Sequence, residues 1–349
     1  MKTSDFNFEL PENLIAQYPP AGRGQSRLLV MNRKTRCLEH RMVKDLPSIL
    51  EKGTVMVFNN SRVRKARLFG VSEETGAKAE FLLLKRLDAF SWQVLSNRSK
   101  RRRTGSCFIF DDISGEIMSV TEGILSLRFD RPIDDAWLDI HGHVPLPPYI
   151  KRDDSNADSE RYQTVYAGEH GSAAAPTAGL HFTRELLAEL EKAGIETAFI
   201  TLHVGLGTFL PVRAEKVEDH KMHEETYYID DMTACCIEKA RAEGRKVLAV
   251  GTTSLRALES AWNAEQSSAA GCKKSGRIKS GEGSTSIFIY PGYVFKAADA
   301  LFTNFHTPLS TLLILVSAFA GRDFILESYK EAIKEGYRFF SYGDACLIL

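Results

Sequence analysis

The sequence has few cysteines, no excess of charge of either sign and no apolar run long enough to cross a bilayer. Its 349 residues carry 45 basic and 45 acidic side chains, which argues against a protein that binds nucleic acid over its whole surface, although a local basic patch stays open. The six cysteines form no C-x-x-C pair, so we expect buried or idle thiols in a reducing cytoplasm. The longest apolar run, "TLLILVSAFA", predicts a buried helix, and the N-terminal residues lack the apolar segment of a secretory signal.

Two familiar phosphate-binding motifs are also missing. No G-x-x-x-x-G-K-[ST] loop occurs, and "HVGLGTF" fails as a dinucleotide fingerprint because position 210 is Leu. The two glycines of this segment, Gly205 and Gly207, still allow the backbone to approach a ligand closely. We therefore predict a ligand contact at this segment but no dinucleotide cofactor.

The order of predicted elements indicates an α/β fold: a main mixed α/β domain with an inserted small antiparallel β-barrel domain. Six short strand-like runs separated by turn signals fill residues 67–149 and predict the barrel. Strands and helices alternate on either side, which assigns residues 1–66 and 150–349 to one discontinuous catalytic domain. We also predict a mobile surface loop over residues 267–286 and a strand in "IFIYPGY".

Polar residues gather where predicted strands end, and such ends bind ligands in open α/β sheets. In "LAVGTTSLRALES" a strand ends at Gly251, and a helix starts near Thr253, so free N–H groups there form an anion site. Arg256 lies three residues further along the same helix and is predicted to reach the same anion. Ordinary helix capping by the hydroxyls is the competing interpretation.

Several histidines stand in these strand-end loops. His181 precedes a predicted helix in "APTAGLHFT", and His306 precedes another in "TNFHTPLST". In "HKMHEE" the order H-x-x-H-E differs from the zinc-protease signatures, and no Cys-rich pair supplies the further ligands that a metal needs. We therefore favour proton transfer at this segment over a metal site, and a solvated charged turn stays open.

The segment "NRSKRRRTG" places five basic side chains within six positions of the barrel. Such a cluster suits a phosphate backbone, although a solvated turn is the commoner interpretation of such a cluster taken alone.

Taken together, these segments resemble one family closely. "VFNNSRV", "GHVPLPPYIKR", "AAPTAGLHFT", "TLHVGLGTFLPV", "EDHKMHEE", "VGTTSLRALES", "TNFHTPLST" and "YRFFSYGDACLI" occur in the order found in S-adenosylmethionine:tRNA ribosyltransferase-isomerases of queuosine biosynthesis. The resemblance implies transfer of the ribosyl part of S-adenosylmethionine to 7-aminomethyl-7-deazaguanine at the tRNA wobble position. It also implies isomerisation to epoxyqueuosine with release of adenine and methionine, S-adenosylmethionine and tRNA as partners, and no metal.

The resemblance and the chemistry of the side chains together give a set of predicted site residues. The proton-transfer candidates are His203, His220, His223 and Glu224. The predicted substrate-binding residues are Asn59, Asn60, Arg62, Thr177, Gly179, His181, Gly205, Gly207, Thr208, Gly251, Thr252, Thr253, Arg256, Asn304, His306 and Ser310. The predicted tRNA-binding residues are Arg67, Arg98, Lys100, Arg101, Arg102 and Arg103.

Our mechanistic hypothesis starts from the sulfonium, which acidifies the neighbouring C5′ protons. A base forms the ylide, ring collapse expels adenine, and amine attack with epoxide closure expels methionine. Two alternatives stay open from sequence: a metal-dependent hydrolase built on His220, His223 and Glu224, and a non-catalytic RNA-binding module. We expect a cytoplasmic monomer with no membrane association.

Overall fold

The computed structural model describes residues 1–97, 102–121, 123–205, 212, 214–263 and 277–349. Two structural units fill these ranges, a large mixed sheet covered by helices and a closed β-barrel.

The described strands, in chain order, are β1 (Arg27–Met31), β2 (Leu38–Met42), β3 (Val55–Asn59), β4 (Ser61–Val63), β5 (Arg67–Ser72), β6 (Lys78–Arg86), β7 (Ser91–Ser96), β8 (Cys107–Phe110), β9 (Ile113–Thr121), β10 (Ile124–Phe129), β11 (Glu169–Ser172), β12 (Glu196–Leu202), β13 (Glu225–Ile229), β14 (Val247–Val250), β15 (Trp262–Asn263), β16 (Arg277–Ile278), β17 (Gly281–Thr285), β18 (Ala300–Asn304) and β19 (Ala345–Ile348).

The described α-helices are α1 (Leu46–Ile49), α2 (Asp135–His141), α3 (Asn156–Arg161), α4 (Arg184–Lys192), α5 (Asp231–Ala242), α6 (Thr252–Ala261), α7 (Thr311–Ala320) and α8 (Arg322–Lys334).

The large sheet has the strand order β17-β13-β12-β3-β14-β18-β19-β1-β2 among the described residues. Its four central strands, β12, β3, β14 and β18, run parallel to one another. Alternate residues of β3 face opposite cores: Val55 and Val57 pack in one hydrophobic cluster, and Met56 and Phe58 in the other. Both faces of the sheet are therefore covered, as the nearly continuous apolar central strands require.

The inserted unit confirms the predicted barrel. Strands β10, β7, β6, β5, β8 and β9 close in that order around a core rich in aromatic side chains. The two ends of the inserted chain segment lie side by side, because Arg67 and His143 exchange backbone hydrogen bonds of 3.2 and 2.8 Å. The fold class is thus confirmed, whereas the exact division at residues 66/67 and 149/150 stays a prediction.

One local prediction was wrong. "IFIYPGY" contains no strand; the strand is β17, which lies just before it, inside the run predicted as a loop. The reason lies in Gly283, where an added Cβ would come within 2.5 Å of the Tyr227 ring on β13. The Gly-rich composition permits close pairing with β13, so here it forms an edge strand rather than a loop. Residues 264–276 of the predicted loop lie outside the described residues.

Candidate active site

The parallel arrangement of the four central strands brings the predicted polar loops to one edge of the sheet. Strand β12 leads into His203, β3 into Asn60, β14 into Gly251 and β18 into Phe305. Strand β13 starts at this edge as well, because it is antiparallel to β12 and His203 N–H donates to Thr226 O at 3.0 Å. The "HKMHEE" segment, which precedes β13, therefore lies at the same edge.

A cleft opens at this edge, and with its mouth included it encloses about 720 Å³ of empty space. Six predicted residues line it: Thr177, Gly251, Thr252, Thr253, Asn304 and His306. The remaining lining residues are Tyr149, Ala174, Ala175, Pro176, Ala178, Val204, Thr303, Phe305, Thr307, Leu312, Phe340 and Ser341.

The N-terminus of α6 forms one wall of the cleft. Gly251 is the N-cap, adopts a φ of 91° that favours glycine, and offers no side chain to cap the helix. The first N–H groups of a helix have no partner within the helix, and they carry the positive end of its dipole. The wall is therefore suited to an anion, as predicted, although the helix starts at Thr252, one residue before the predicted Thr253.

Asn59 and Asn60 fix the strand ends behind this wall. The Asn59 amide donates to Leu202 O at 2.9 Å and accepts from Leu202 N at 3.0 Å, which ties β3 to β12. It also donates to Thr253 Oγ1 at 3.4 Å. Asn60 Oδ1 accepts from Thr201 Oγ1 at 2.7 Å. Both asparagines are occupied by strand-to-strand hydrogen bonds rather than directed into the cleft.

Two predicted histidines are buried and held neutral. Burial lowers the pKa of His181 to about 4 and that of His306 to about 3. His306 lies at the cleft, with Nε2 3.1 Å from Thr303 Oγ1. His181 lies behind the cleft, between Ser26 and Asn304. Neither ring acts as a cation near neutral pH.

Acidification is expected to destabilise the fold through these two rings. Their pKa values are lower in the folded state than the ordinary 6.5, so the unfolded chain binds more protons below pH 6.5. The stabilisation is present above pH 6.5 and is lost as the pH falls toward 4 and then 3. Each ring contributes a slope of up to about 1.4 kcal/mol per pH unit. Urea unfolding between pH 7.5 and 4.5 measures the slope, which His306→Gln is expected to reduce. An unchanged slope in His306→Gln would contradict this account.

Gly179 is required by packing. An added Cβ would come within 2.2 Å of Tyr166 Oη and 2.7 Å of Thr164 Cγ2. Gly179→Ala is expected to lower the free energy of unfolding by about 1 to 3 kcal/mol, because the buried neighbours must move. Gly168→Ala is the matched control, since nothing lies within 4 Å of its added Cβ. Chemical denaturation measures both, and equal losses would argue against a packing role for Gly179.

The predicted residue His203 immediately precedes Val204, which lines the cleft. The His203 ring packs over Gly171, and its Nδ1 is buried without a partner among the described residues. Burial lowers the pKa of His203, the Arg64 charge adds to this, and Glu169 opposes it. Gly207 and Thr208 lie outside the described residues.

Arg256 is held in a buried ion pair with Glu225, away from the α6 N-terminus. The other oxygen of this carboxylate, Glu225 Oε1, accepts from Gly205 N at 2.9 Å. The pair therefore links α6, β13 and the loop after β12, and the structure gives Arg256 a supporting position instead of a place on the cleft wall.

The "HKMHEE" side chains do not converge. His220 is half-buried against Phe288, with ring centroids 5.0 Å apart, and burial followed by the charge of His223 lowers its pKa. His223 and Glu224 are exposed, and Glu224 Oε1 accepts from Ser284 Oγ at 2.8 Å. Within the described ranges no group of three His, Cys, Asp or Glu side chains is placed to share a metal ion.

The predicted basic and capping residues occupy varied positions. Arg62 and Arg103 are exposed. Arg67 pairs with Glu80 at 2.9 Å, and Arg102 folds back on the barrel over Phe108, 5.1 Å from the ring centroid. Ser310 caps α7 by accepting from Leu313 N at 3.1 Å, so its hydroxyl faces the helix. Arg98, Lys100 and Arg101 lie outside the described residues.

The sequence prediction missed four residues of this region. Tyr149 and Ser341, which share a hydrogen bond of 2.5 Å, line the cleft with Phe340. Phe340 adopts a φ of 73°, a costly conformation for a bulky residue that occurs more often at functional sites. Glu225 was also missed, although the alternation of "ETYYI" places it on the buried face of β13. The other three had no local signal, because distant segments bring them to the cleft.

Comparisons with known proteins show which family the chain resembles. The family model described as "Queuosine biosynthesis protein" matches residues 3–348. Proteins named S-adenosylmethionine:tRNA ribosyltransferase-isomerase from Treponema denticola and Desulfitobacterium hafniense are each 52% identical, and the alignments cover all of both chains.

A crystal structure of an S-adenosylmethionine tRNA ribosyltransferase from Thermotoga maritima is also similar. It matches with a TM-score of 0.55 and 36% identity over 99% of this chain and 100% of that one. The match to the family model spans nearly the whole chain, and the relatives are aligned with it from end to end. The chain therefore belongs to the family of queuosine biosynthesis proteins.

Proposed function

We propose that the chain transfers the ribosyl part of S-adenosylmethionine to 7-aminomethyl-7-deazaguanine at the tRNA wobble position and isomerises it to give epoxyqueuosine, with release of adenine and methionine. The observation that carries this proposal is the full-length match to enzymes of that name. The cleft at the ends of four parallel strands supports the place of the reaction, because ligands bind at such ends in open α/β sheets.

In this proposal the α6 N-terminus holds the carboxylate of the methionyl part. Thr252 and Thr253, the first two residues of the helix, line the cleft, and the helix dipole favours a negative charge at this end. The aromatic and small apolar residues that also line the cleft are expected to exclude water from the reacting ribose. The N-terminal wall therefore binds an anion, and the apolar wall shelters the chemistry.

Proton transfer is assigned to one of the four predicted candidates, although their side chains do not converge. His203, His220, His223 and Glu224 lie at the same sheet edge, and the depressed pKa values of His203 and His220 keep these rings neutral and able to accept a proton. If one of them is the general base, its replacement is expected to slow turnover by at least tenfold without weakening the binding of S-adenosylmethionine. Nucleoside mass spectrometry and a binding isotherm for each variant identify the base; the variants are His203→Gln, His220→Gln, His223→Ala and Glu224→Gln. Full turnover in all four would remove this group from the chemistry.

The tRNA is proposed to approach from the side of the exposed Arg62, with Arg67, Arg98 and Lys100–Arg103 of the barrel as a peripheral grip. The barrel joins the main unit at Arg67, the first residue of β5, which forms an isolated backbone bridge with His143 near the other end of the inserted segment. We further propose that the protein works as a cytoplasmic monomer without a metal. Within the described residues no helix is both long and apolar enough to span a membrane.

The decisive experiment mixes the protein with S-adenosylmethionine and tRNA that carries the deazaguanine precursor. Stoichiometric adenine together with a modified wobble nucleoside is the expected result. A metal-dependent hydrolase would instead lose its activity with a chelator, and an RNA-binding module would bind tRNA with a steep salt dependence and leave S-adenosylmethionine intact.

A further inference from the structure

We propose that Asn304 selects the base of the co-substrate, because its side-chain oxygen accepts a hydrogen bond from the 6-amino group of a purine in the cleft. This inference rests on the proposed function, since S-adenosylmethionine supplies the purine.

The orientation of the Asn304 amide is fixed from two sides. The Phe340 carbonyl, 3.0 Å from Nδ2, only accepts hydrogen bonds, so the amide nitrogen and not the oxygen must face it. Nδ2 also lies 3.0 Å from His181 Nε2, which must then be the acceptor. His181 Nδ1 consequently carries the proton and donates to Ser26 Oγ at 2.9 Å. Both hydrogens of the amide are therefore used inside the protein.

The amide oxygen, Oδ1, is the other polar atom of the Asn304 side chain. Asn304 is 2% exposed, and its Oδ1 has no hydrogen-bond partner among the residues that the structure describes. A buried acceptor without a partner costs free energy, and such atoms are rare in folded proteins. Asn304 lines the cleft, and we infer that a ligand that offers an N–H group satisfies this oxygen.

The surroundings favour a neutral aromatic amine over an ammonium group. No Asp, Glu, Lys or Arg is among the described residues that line the cleft, so an ammonium group at Asn304 would have no carboxylate beside it. The rings of Tyr149 and Phe340, 4.6 Å apart, provide aromatic faces near Asn304. Ala174 and Ala178 on the cleft leave room for a flat ring. A 6-aminopurine has both the flat ring and the neutral donor.

The test compares two ligands on the full chain by isothermal titration calorimetry: S-adenosylmethionine and its analogue in which the 6-amino group is replaced by hydrogen. The wild-type protein is expected to bind the analogue roughly tenfold to a hundredfold more weakly, because the analogue leaves Oδ1 unpaired. In Asn304→Ala the ratio of the two affinities is expected to fall to about one. The control is Leu312→Ala, which also changes the cleft wall but is expected to weaken both ligands alike and keep the ratio.

A wild-type ratio within about twofold of one overturns the inference, and so does a wild-type ratio that persists in Asn304→Ala. The wild-type comparison stands without any variant, so a failure of Asn304→Ala to fold leaves the test intact. If the wild-type protein binds and turns over S-adenosylmethionine but shows no preference, only this inference fails. If it does not bind S-adenosylmethionine at all, the proposed function fails and the inference fails with it.

Discussion

Replacing Gly251 with valine is expected to lower kcat/KM for S-adenosylmethionine by a hundredfold or more. The new side chain would stand at the N-cap of α6, between the free N–H groups and the anion that they are proposed to bind. Hydrogen bonds to a charged group contribute about 1.5 to 3 kcal/mol each, so the loss of two accounts for this factor. The KM for tRNA is expected to change little, because the substitution acts at the S-adenosylmethionine wall.

The matched control for this variant is Gly244→Val. Gly244 also has a positive φ, 71°, but nothing lies within 4 Å of its added Cβ, and it is exposed beyond the end of α5. Both variants place a branched side chain at a positive φ, but Gly251 is buried with Ala178 Cβ 3.5 Å from its added Cβ, so Gly251→Val is expected to lose more thermal stability than Gly244→Val. Steady-state kinetics with each substrate varied separates them. Equal kinetic losses in the two variants would mean that strain, and not the anion wall, explains the effect.

Removing the Glu225 carboxylate is expected to destabilise the protein by about 3 to 5 kcal/mol, because Arg256 is then left buried without its counter-ion. The two side chains are 3% and 5% exposed, so solvent does not screen the pair. The carboxylate also accepts from Gly205 N, and its loss frees the loop that follows β12. We therefore expect Glu225→Ala to lower both the free energy of unfolding and the turnover.

Two further variants test this reason. Glu243→Ala removes an exposed partner of Arg245 and is expected to cost less than about 1 kcal/mol. The double variant Glu225→Met, Arg256→Met removes both charges and is expected to recover a substantial part of the stability, because no unpaired ion remains buried. Urea unfolding of the set provides the measurement. A double variant as unstable as the sum of its single variants would contradict the buried-pair explanation.

Much of the fold was predictable because its signals are local. The helix α4 begins after Thr183, whose side chain accepts from Leu186 N, and the chain turns at Gly194 with a φ of 80°. The barrel strands were evident from short apolar runs between turn signals. The β17 error shows the limit of this approach, because the glycine that resembles a loop signal is there to accommodate Tyr227 on the neighbouring strand.

Part of the site was predictable because some of its residues also have a local signal in the sequence. Gly251 and His306 follow strands directly, so the rule on strand ends located them, and both line the cleft. Arg256 was expected beside the α6 anion site, yet its helical position directs it to Glu225 in the interior. Tyr149 and Phe340 reach the cleft from segments almost 200 residues apart, and no residue spacing within either segment predicts that both side chains line the cleft.

The most direct test of the central claim is a crystal structure of the protein with S-adenosylmethionine bound. We expect the ligand in the cleft at the ends of β12, β3, β14 and β18, with its carboxylate within hydrogen-bond distance of the Thr252 and Thr253 N–H groups. A ligand bound elsewhere, with the α6 N-terminus left unoccupied, would contradict the proposed site.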